Sequence, residues 1–242
     1  MKGLVALLAL LAAPVHAGEV KVAVAANFTE PAKEIAAAYE KASGDRVTLS
    51  FGSSGAFATQ IANGAPFEVF LSADAERPAV LAMGGQGVAG NRFTYATGRL
   101  ALYSTKAVLA ASPSALAKGA YAKLSIADPK AAPYGQAAVE TLKALRLYDA
   151  AAPKIVRGAS IAQAYQFVAS GAADLGFVAL SQIVTVPGGS RWIVPEKYHS
   201  PITQDAILLK TGVANPAATG FLRFLKSARA KAIINRYGYK IG

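Results

Sequence analysis

Four short stretches place hydroxyls, amides and small residues where a strand-like run gives way to a helix-like one. They are Ala26-Asn27-Phe28, Gly52-Ser53-Ser54-Gly55, Pro133-Tyr134-Gly135 and Ala159-Ser160-Ile161. The first backbone N–H groups of a helix have no intrahelical partner, and the helix dipole favours negative charge beside them. In open α/β sheets ligands bind beyond the carboxyl ends of strands, which is where all four junctions fall. The chemistry this predicts is anion binding. Plain capping accounts for any one junction; the four together in one chain favour a site.

The donor types select the anion. The stretch "SFGSSGA" (Ser50 to Ala56) resembles a phosphate loop without its lysine. Ser54 and Tyr134 offer hydroxyls and Asn27 an amide, all neutral. Neutral donors can hold a buried dianion, because a charge-assisted hydrogen bond contributes roughly 1.5–3 kcal/mol. Hydrogen phosphate would also need an acceptor for its proton. Asp128 and Glu30 are near in sequence, but no carboxylate occupies a junction, so a fully deprotonated dianion is favoured. Gly52 and Gly55 let the backbone approach closely, and Ser53 either points inward or caps the turn.

Other motifs carry less. "GQGVAG" (Gly85 to Gly90) matches a dinucleotide-binding pattern, but it follows a helix and lacks an acidic residue about 20 positions later. "GSSGA" lacks the final glycine of a nucleophile elbow. A serine hydrolase would need a base, and beyond the leader the chain has one histidine, His199, in a loop where exposure is expected. No His, Asp and Glu cluster has metal-ligand spacing, so no direct metal ligands, catalytic residues or cofactor are expected.

The elements that position the junctions alternate. Strands are expected in "EVKVAVAA", "RVTLSF", "FEVFLSA", "AKLSIAD", "KIVRG", "ADLGFVAL" and "ITQDAILLK". "RFTYATGRLALYS" reads as one or two strands interrupted at Gly98. Asn27 is expected to cap a helix with Glu30 completing a capping box, and Ser160 to do the same with Gln163. "PKAAPYG" reads as a loop before the helix "QAAVETLKALRLY", with Val139, Leu142 and Leu145 facing inward. Asn215 and Pro216 open one last helix, closed by Gly238. The alternation predicts an α/β fold of largely parallel sheets flanked by helices. The length and the break near Gly98 point to two lobes, the first discontinuous: 18–97 plus 203–242, with 98–202 as the second.

The chain is 53% hydrophobic and 16% charged, enough to bury a core. Met1-Lys2, the apolar run "LVALLALLAA" and the cleavage signal "VHA" predict a signal peptide over residues 1–17. With no cysteine, neither disulfides, thiolate chemistry nor a lipid-anchored N-terminal cysteine is expected. A Gram-negative periplasm fits. The formal charge is +11, or +10 without Lys2, and after Asp205 every charged residue is basic. A solvated basic helix face accounts for this; a docking surface or a steering field for an anion is the alternative. Nucleic acid is not expected, and the chain is expected to act as a monomer.

At these junctions the sequence resembles the periplasmic molybdate-binding proteins of ABC importers. "VAVAANF", "FGSSGAFATQIANGAPFEVFLSAD", "IADPKAAPYG", "GAADLGFVALSQI" and the "RYGY" ending carry the resemblance across essentially the whole mature chain. Glu68 stands where the family usually has Asp, a position expected to be structural. The resemblance implies a two-lobed type II periplasmic binding fold closing over a tetrahedral oxyanion, with binding rather than catalysis. It assigns molybdate contacts to Asn27, Ser54, Tyr134 and Ile161, the last through its N–H. A tyrosine some relatives use corresponds to Ala179, a place Tyr134 could fill. The implied ligand is molybdate or tungstate, delivered to a membrane permease. Another oxyanion on the same fold, such as sulfate or phosphate, or an exported serine hydrolase are the alternatives.

Overall fold

The computed structural model describes residues 18–241; the expected signal peptide lies outside them. Two five-stranded sheets organise the chain. In chain order the strands are β1 (Glu19–Ala25), β2 (Arg46–Gly52), β3 (Val69–Leu71), β4 (Phe93–Gly98), β5 (Leu100–Ser104), β6 (Leu124–Ala127), β7 (Ile155–Gly158), β8 (Leu175–Ala179), β9 (Ser190–Ile193) and β10 (Ile202–Leu208). The first sheet has the order β2-β1-β3-β10-β4 and the second β7-β6-β8-β5-β9. In the first, β10 runs antiparallel to both its neighbours; in the second, β5 does. These reversed strands are the two with which the chain enters each sheet after leaving the other. The remaining strands share one direction within each sheet, so their carboxyl ends collect on one side of each lobe.

The helices are α1 (Thr29–Ser43), α2 (Ser54–Ala62), α3 (Glu76–Met83), α4 (Pro113–Lys118), α5 (Pro133–Ala144), α6 (Tyr148–Ala151), α7 (Ile161–Ala169), α8 (Pro216–Leu225) and α9 (Ala228–Arg236). They cover both faces of each sheet. Along β1, Val20, Val22 and Val24 pack with Phe28, Ile35 and Phe221, while Ala23 faces the opposite way onto Phe57 and Phe70. Along β5, Leu100 and Leu102 join Ile126 and Phe177, while Ala101 and Tyr103 meet Val168 and Val178. This two-residue alternation into two covered faces is why the strands read as near-continuous apolar runs.

Several local expectations are corrected. Asn27 does not cap α1. A 3-10 turn, Ala26–Phe28, leads into the helix, Ala25 stands at its cap position, and the Asn27 side chain turns into the interior. Glu30 pairs with Lys33 instead of completing a box. "APYG" is not loop: Pro133 takes the first position of α5, where its missing N–H costs nothing. Ser160 does cap α7, accepting from Gln163 N, but the Gln163 side chain accepts from Ala159 N rather than Ser160 N. The last helix is two, because Ser227 accepts from Ala230 N and restarts the turn. Strand β9, short and half-exposed, carries no alternation in "SRWI" that marks it.

Glu68 is structural in this fold. Its carboxylate accepts from Lys21 N and from Asn215 Nδ2, both at hydrogen-bond distance (2.8 and 2.7 Å). Asn215 in turn caps α8 by accepting from Ala217 N. Glu68→Ala is therefore expected to lower stability by about 1–3 kcal/mol with ligand affinity unchanged, measured by denaturant unfolding and titration of the same preparation.

Candidate functional site

The four junctions converge. A small, tight cavity is walled on one side by Ala25, Ala26, Asn27, Gly52, Ser53, Ser54 and Ala73. Ala132, Pro133, Tyr134 and Ile161 close the other side. The first group follows strands of the first sheet and the second group strands of the second sheet, so the cavity lies between the lobes. Every lining residue is neutral. Asn27, Ser54, Tyr134 and Ile161 all line it, each no more than 3% exposed.

Each wall ends at a helix start with N–H groups to spare. The turn into α1 and the start of α5 have no side-chain cap. At α2 and α7 the caps Ser53 and Ser160 each take one N–H, those of Ala56 and Gln163, both in the third helical position. At α2 the Gly55 N–H is taken as well, by Ala131 O, so the first N–H of that helix, that of Ser54, is what remains. Ile161 is the first residue of α7, and Tyr134, after a proline that has no N–H, supplies the first N–H of α5. Four helix starts at roughly half a positive charge each present about the charge that a dianion needs, without any cationic side chain.

Side chains divide their roles. Ser54 Oγ accepts from Ala73 N at 2.9 Å, which leaves its proton to donate. Asn27 Nδ2 donates to Gln204 Oε1 at 2.8 Å and to Tyr239 Oη at 3.0 Å, and its carbonyl accepts from Ser181 Oγ and Tyr239 Oη, so side chain and carbonyl serve the interior while the residue lines the cavity. The Tyr134 hydroxyl accepts from Gln204 Nε2 at 3.2 Å. Ala179 ends β8 and is fully buried. Burial pushes the Tyr134 and Tyr95 hydroxyls well above the ordinary tyrosine range, and Tyr239 is raised as well, so all three stay protonated. The carboxylates near in sequence are engaged elsewhere: Asp128 accepts from Lys130 N and Glu30 pairs with Lys33.

Ser53, left open between pointing inward and capping, does both: it lines the cavity, as Ala26 does, and caps α2. Sequence reasoning missed Gln204, which joins the Asn27 and Tyr134 side chains from a strand 70 residues beyond Tyr134. Nothing in "ITQDAILLK" distinguishes Gln204 from a strand residue facing solvent. His199, expected to be exposed, is 8% exposed; its Nδ1 lies 2.8 Å from Ser200 O, and it lines a different pocket with Arg99 and Glu196. It is therefore not a base for Ser54. Among the described residues there is no group of three His, Asp or Glu side chains placed to hold a metal ion.

Two α/β lobes with a neutral, donor-lined cavity between them have the architecture of a binding protein for a small solute. Residues 20–240 match the bacterial extracellular solute-binding proteins, and the chain belongs to that family. Among its relatives, the molybdate-binding protein ModA of Rhodobacter capsulatus is 52% identical over 229 residues, covering 95% of this chain and 91% of the relative. ModA of Azotobacter vinelandii is 53% identical over 234 residues, covering 95% and 93%. The solved Azotobacter vinelandii periplasmic molybdate-binding protein superposes with a TM-score of 0.89 at 40% identity, covering 92% of this chain and 99% of that one.

Proposed function

We propose that this chain captures molybdate in the periplasm and delivers it to an ABC-type membrane importer. The observation that carries this reading is the neutral cavity between four helix starts, in a chain about half identical to molybdate-binding relatives. Asn27 and Ile161 contribute backbone N–H groups, Tyr134 its N–H, and Ser54 its hydroxyl. The lobes are residues 18–97 plus 203–242 and residues 98–202, and the protein works as a monomer after removal of residues 1–17. The anion bridges donors of both lobes and so stabilises the closed form by its differential affinity. Tungstate, nearly the same size, is bound too; sulfate is smaller, and fixed donors leave its bonds too long.

Titration of ligand-stripped protein with molybdate, tungstate, sulfate and phosphate tests this. Tight binding of the first two and weak binding of the others is expected; the reverse order overturns the reading. The pH dependence is a second check. Tyr134, Tyr95 and Tyr239 have pKa values raised by burial, so they keep their protons well into alkali and contribute no titration. Molybdate affinity is therefore expected to be flat from about pH 6 to about pH 9. A site holding hydrogen phosphate through a carboxylate acceptor would show a slope there.

A further inference from the structure

Behind the cavity, where the chain crosses between sheets, lies a buried chain of neutral polar side chains. Gln204 is its centre. It is fully buried at a bulge in β10, two residues after that strand begins. Its Oε1 lies 2.8 Å from Asn27 Nδ2 and 3.0 Å from the Tyr95 hydroxyl, both on the first lobe. Its Nε2 donates to the Tyr134 hydroxyl on α5 of the second lobe. A second link runs alongside, with Ser181 Oγ of the second lobe donating to the Asn27 carbonyl at 2.8 Å. Gly98 lets this assembly close up: a Cβ there would stand 2.1 Å from the Tyr134 hydroxyl and 2.6 Å from Gln204 Nε2.

We propose that Gln204 is a closure latch, a positioning residue whose amide joins a cavity residue of one lobe to a cavity residue of the other. The proposal rests on the solute-binding reading above. Asn27 and Tyr134 both line the cavity and both bond Gln204 through their side chains, so anion capture and lobe closure share one set of residues. In the closed form these groups are out of water and must be paired with one another. Moving the lobes apart separates Gln204 from Tyr134 and Ser181 from Asn27, and water can then take their place. Removing the amide therefore penalises the closed form more than the open one. Because only the closed form holds the anion with both lobes, its reduced population weakens apparent affinity in proportion.

The test uses Gln204→Met, which keeps length and loses both polar ends, and Tyr134→Phe, which deletes only the hydroxyl at the far end. Spin labels at Glu76→Cys and Gln136→Cys, exposed positions facing across the cleft mouth, report the lobe separation, and the chain has no cysteine of its own to interfere. Each variant is expected to speed molybdate dissociation roughly tenfold, with association little changed and the label distances shifted toward wider values. The double variant is expected to be no worse than the weaker-binding single one, because both cut the same link. Additive losses, or unchanged label distances, overturn the latch. Tyr134→Phe alone carries the test if Gln204→Met does not fold. If the unmodified protein fails to bind molybdate, the functional reading falls, while the ligand-free distance distributions of the same variants still decide the latch.

Discussion

Ser54→Ala is expected to weaken molybdate binding by about 10- to 100-fold while leaving the fold intact. The hydroxyl has two tasks. Its oxygen accepts from Ala73 N at 2.9 Å, and its proton is left to reach the anion. Alanine removes both, so the closed site loses a charge-assisted bond and buries the Ala73 N–H without an acceptor. The helix itself is not weakened. Ser54 is the first residue of α2, alanine is the better helix former, and Ser53 still caps the turn through Ala56 N. Ser53→Ala makes the contrast, since loss of a cap costs about 1 kcal/mol of stability. Calorimetric titration of both variants, paired with thermal unfolding, separates the two serines. Unchanged affinity in Ser54→Ala would remove that hydroxyl from the site.

The helix starts were legible in the sequence because capping and strand ends leave a local signature. Ser53 and Ser160 are adjacent in the chain to the β-branched runs before them, and adjacency is what a sequence displays; Pro133, separated from its strand by "DPKAA", reads as loop although it opens α5. The two-sheet α/β organisation was legible for the same reason, through alternating periods. Asn27 shows where that logic ends. Asn before a helix ordinarily caps it, yet here its amide is bonded to Gln204 and Tyr239, residues 177 and 212 positions away. A tertiary partnership at that separation overrides the local preference and has no signature near Asn27. Tyr134 is similar: its hydroxyl looked like a ligand donor, and the fold gives it to Gln204. The basic tail reads as a solvated face in the sequence, yet two of its cations have partners, Arg236 with Glu34 and Lys240 with Glu196. Lys226 lies 4.0 Å from the centre of the Phe93 ring. Their charge is partly spent locally, which leaves the helix starts as the electrostatic feature of the cavity.

Gly55→Val is expected to reduce molybdate affinity by about a thousandfold without unfolding the protein, because it keeps the lobes apart. Gly52 and Gly55 were expected to let the backbone come close to a ligand. At Gly55 what comes close is the other lobe. Its N–H donates to Ala131 O at 2.9 Å, and a Cβ would stand 3.0 Å from both the Cα and the carbonyl oxygen of Ala131. Backbone on that side cannot swing away as a flexible side chain would, and valine adds two methyl groups beyond Cβ. Within its own lobe the substitution is mild, since Gly55 sits in the first turn of α2 and valine is no poorer a helix former than glycine. The clash therefore exists only when the cleft closes. Held open, the protein keeps Asn27 and Ser54 but loses the N–H donors of Tyr134 and Ile161, and two charge-assisted bonds account for a loss of that order. Small-angle scattering should show that saturating molybdate compacts the parent protein but not the variant. Gly135→Val supplies the contrast, because its Cβ would stand 2.2 Å from Ala127 O inside the second lobe and so should lower the melting temperature itself. Affinity within tenfold of the parent in Gly55→Val would show that the anion is held by the first lobe alone, and the two-lobed site would have to be abandoned.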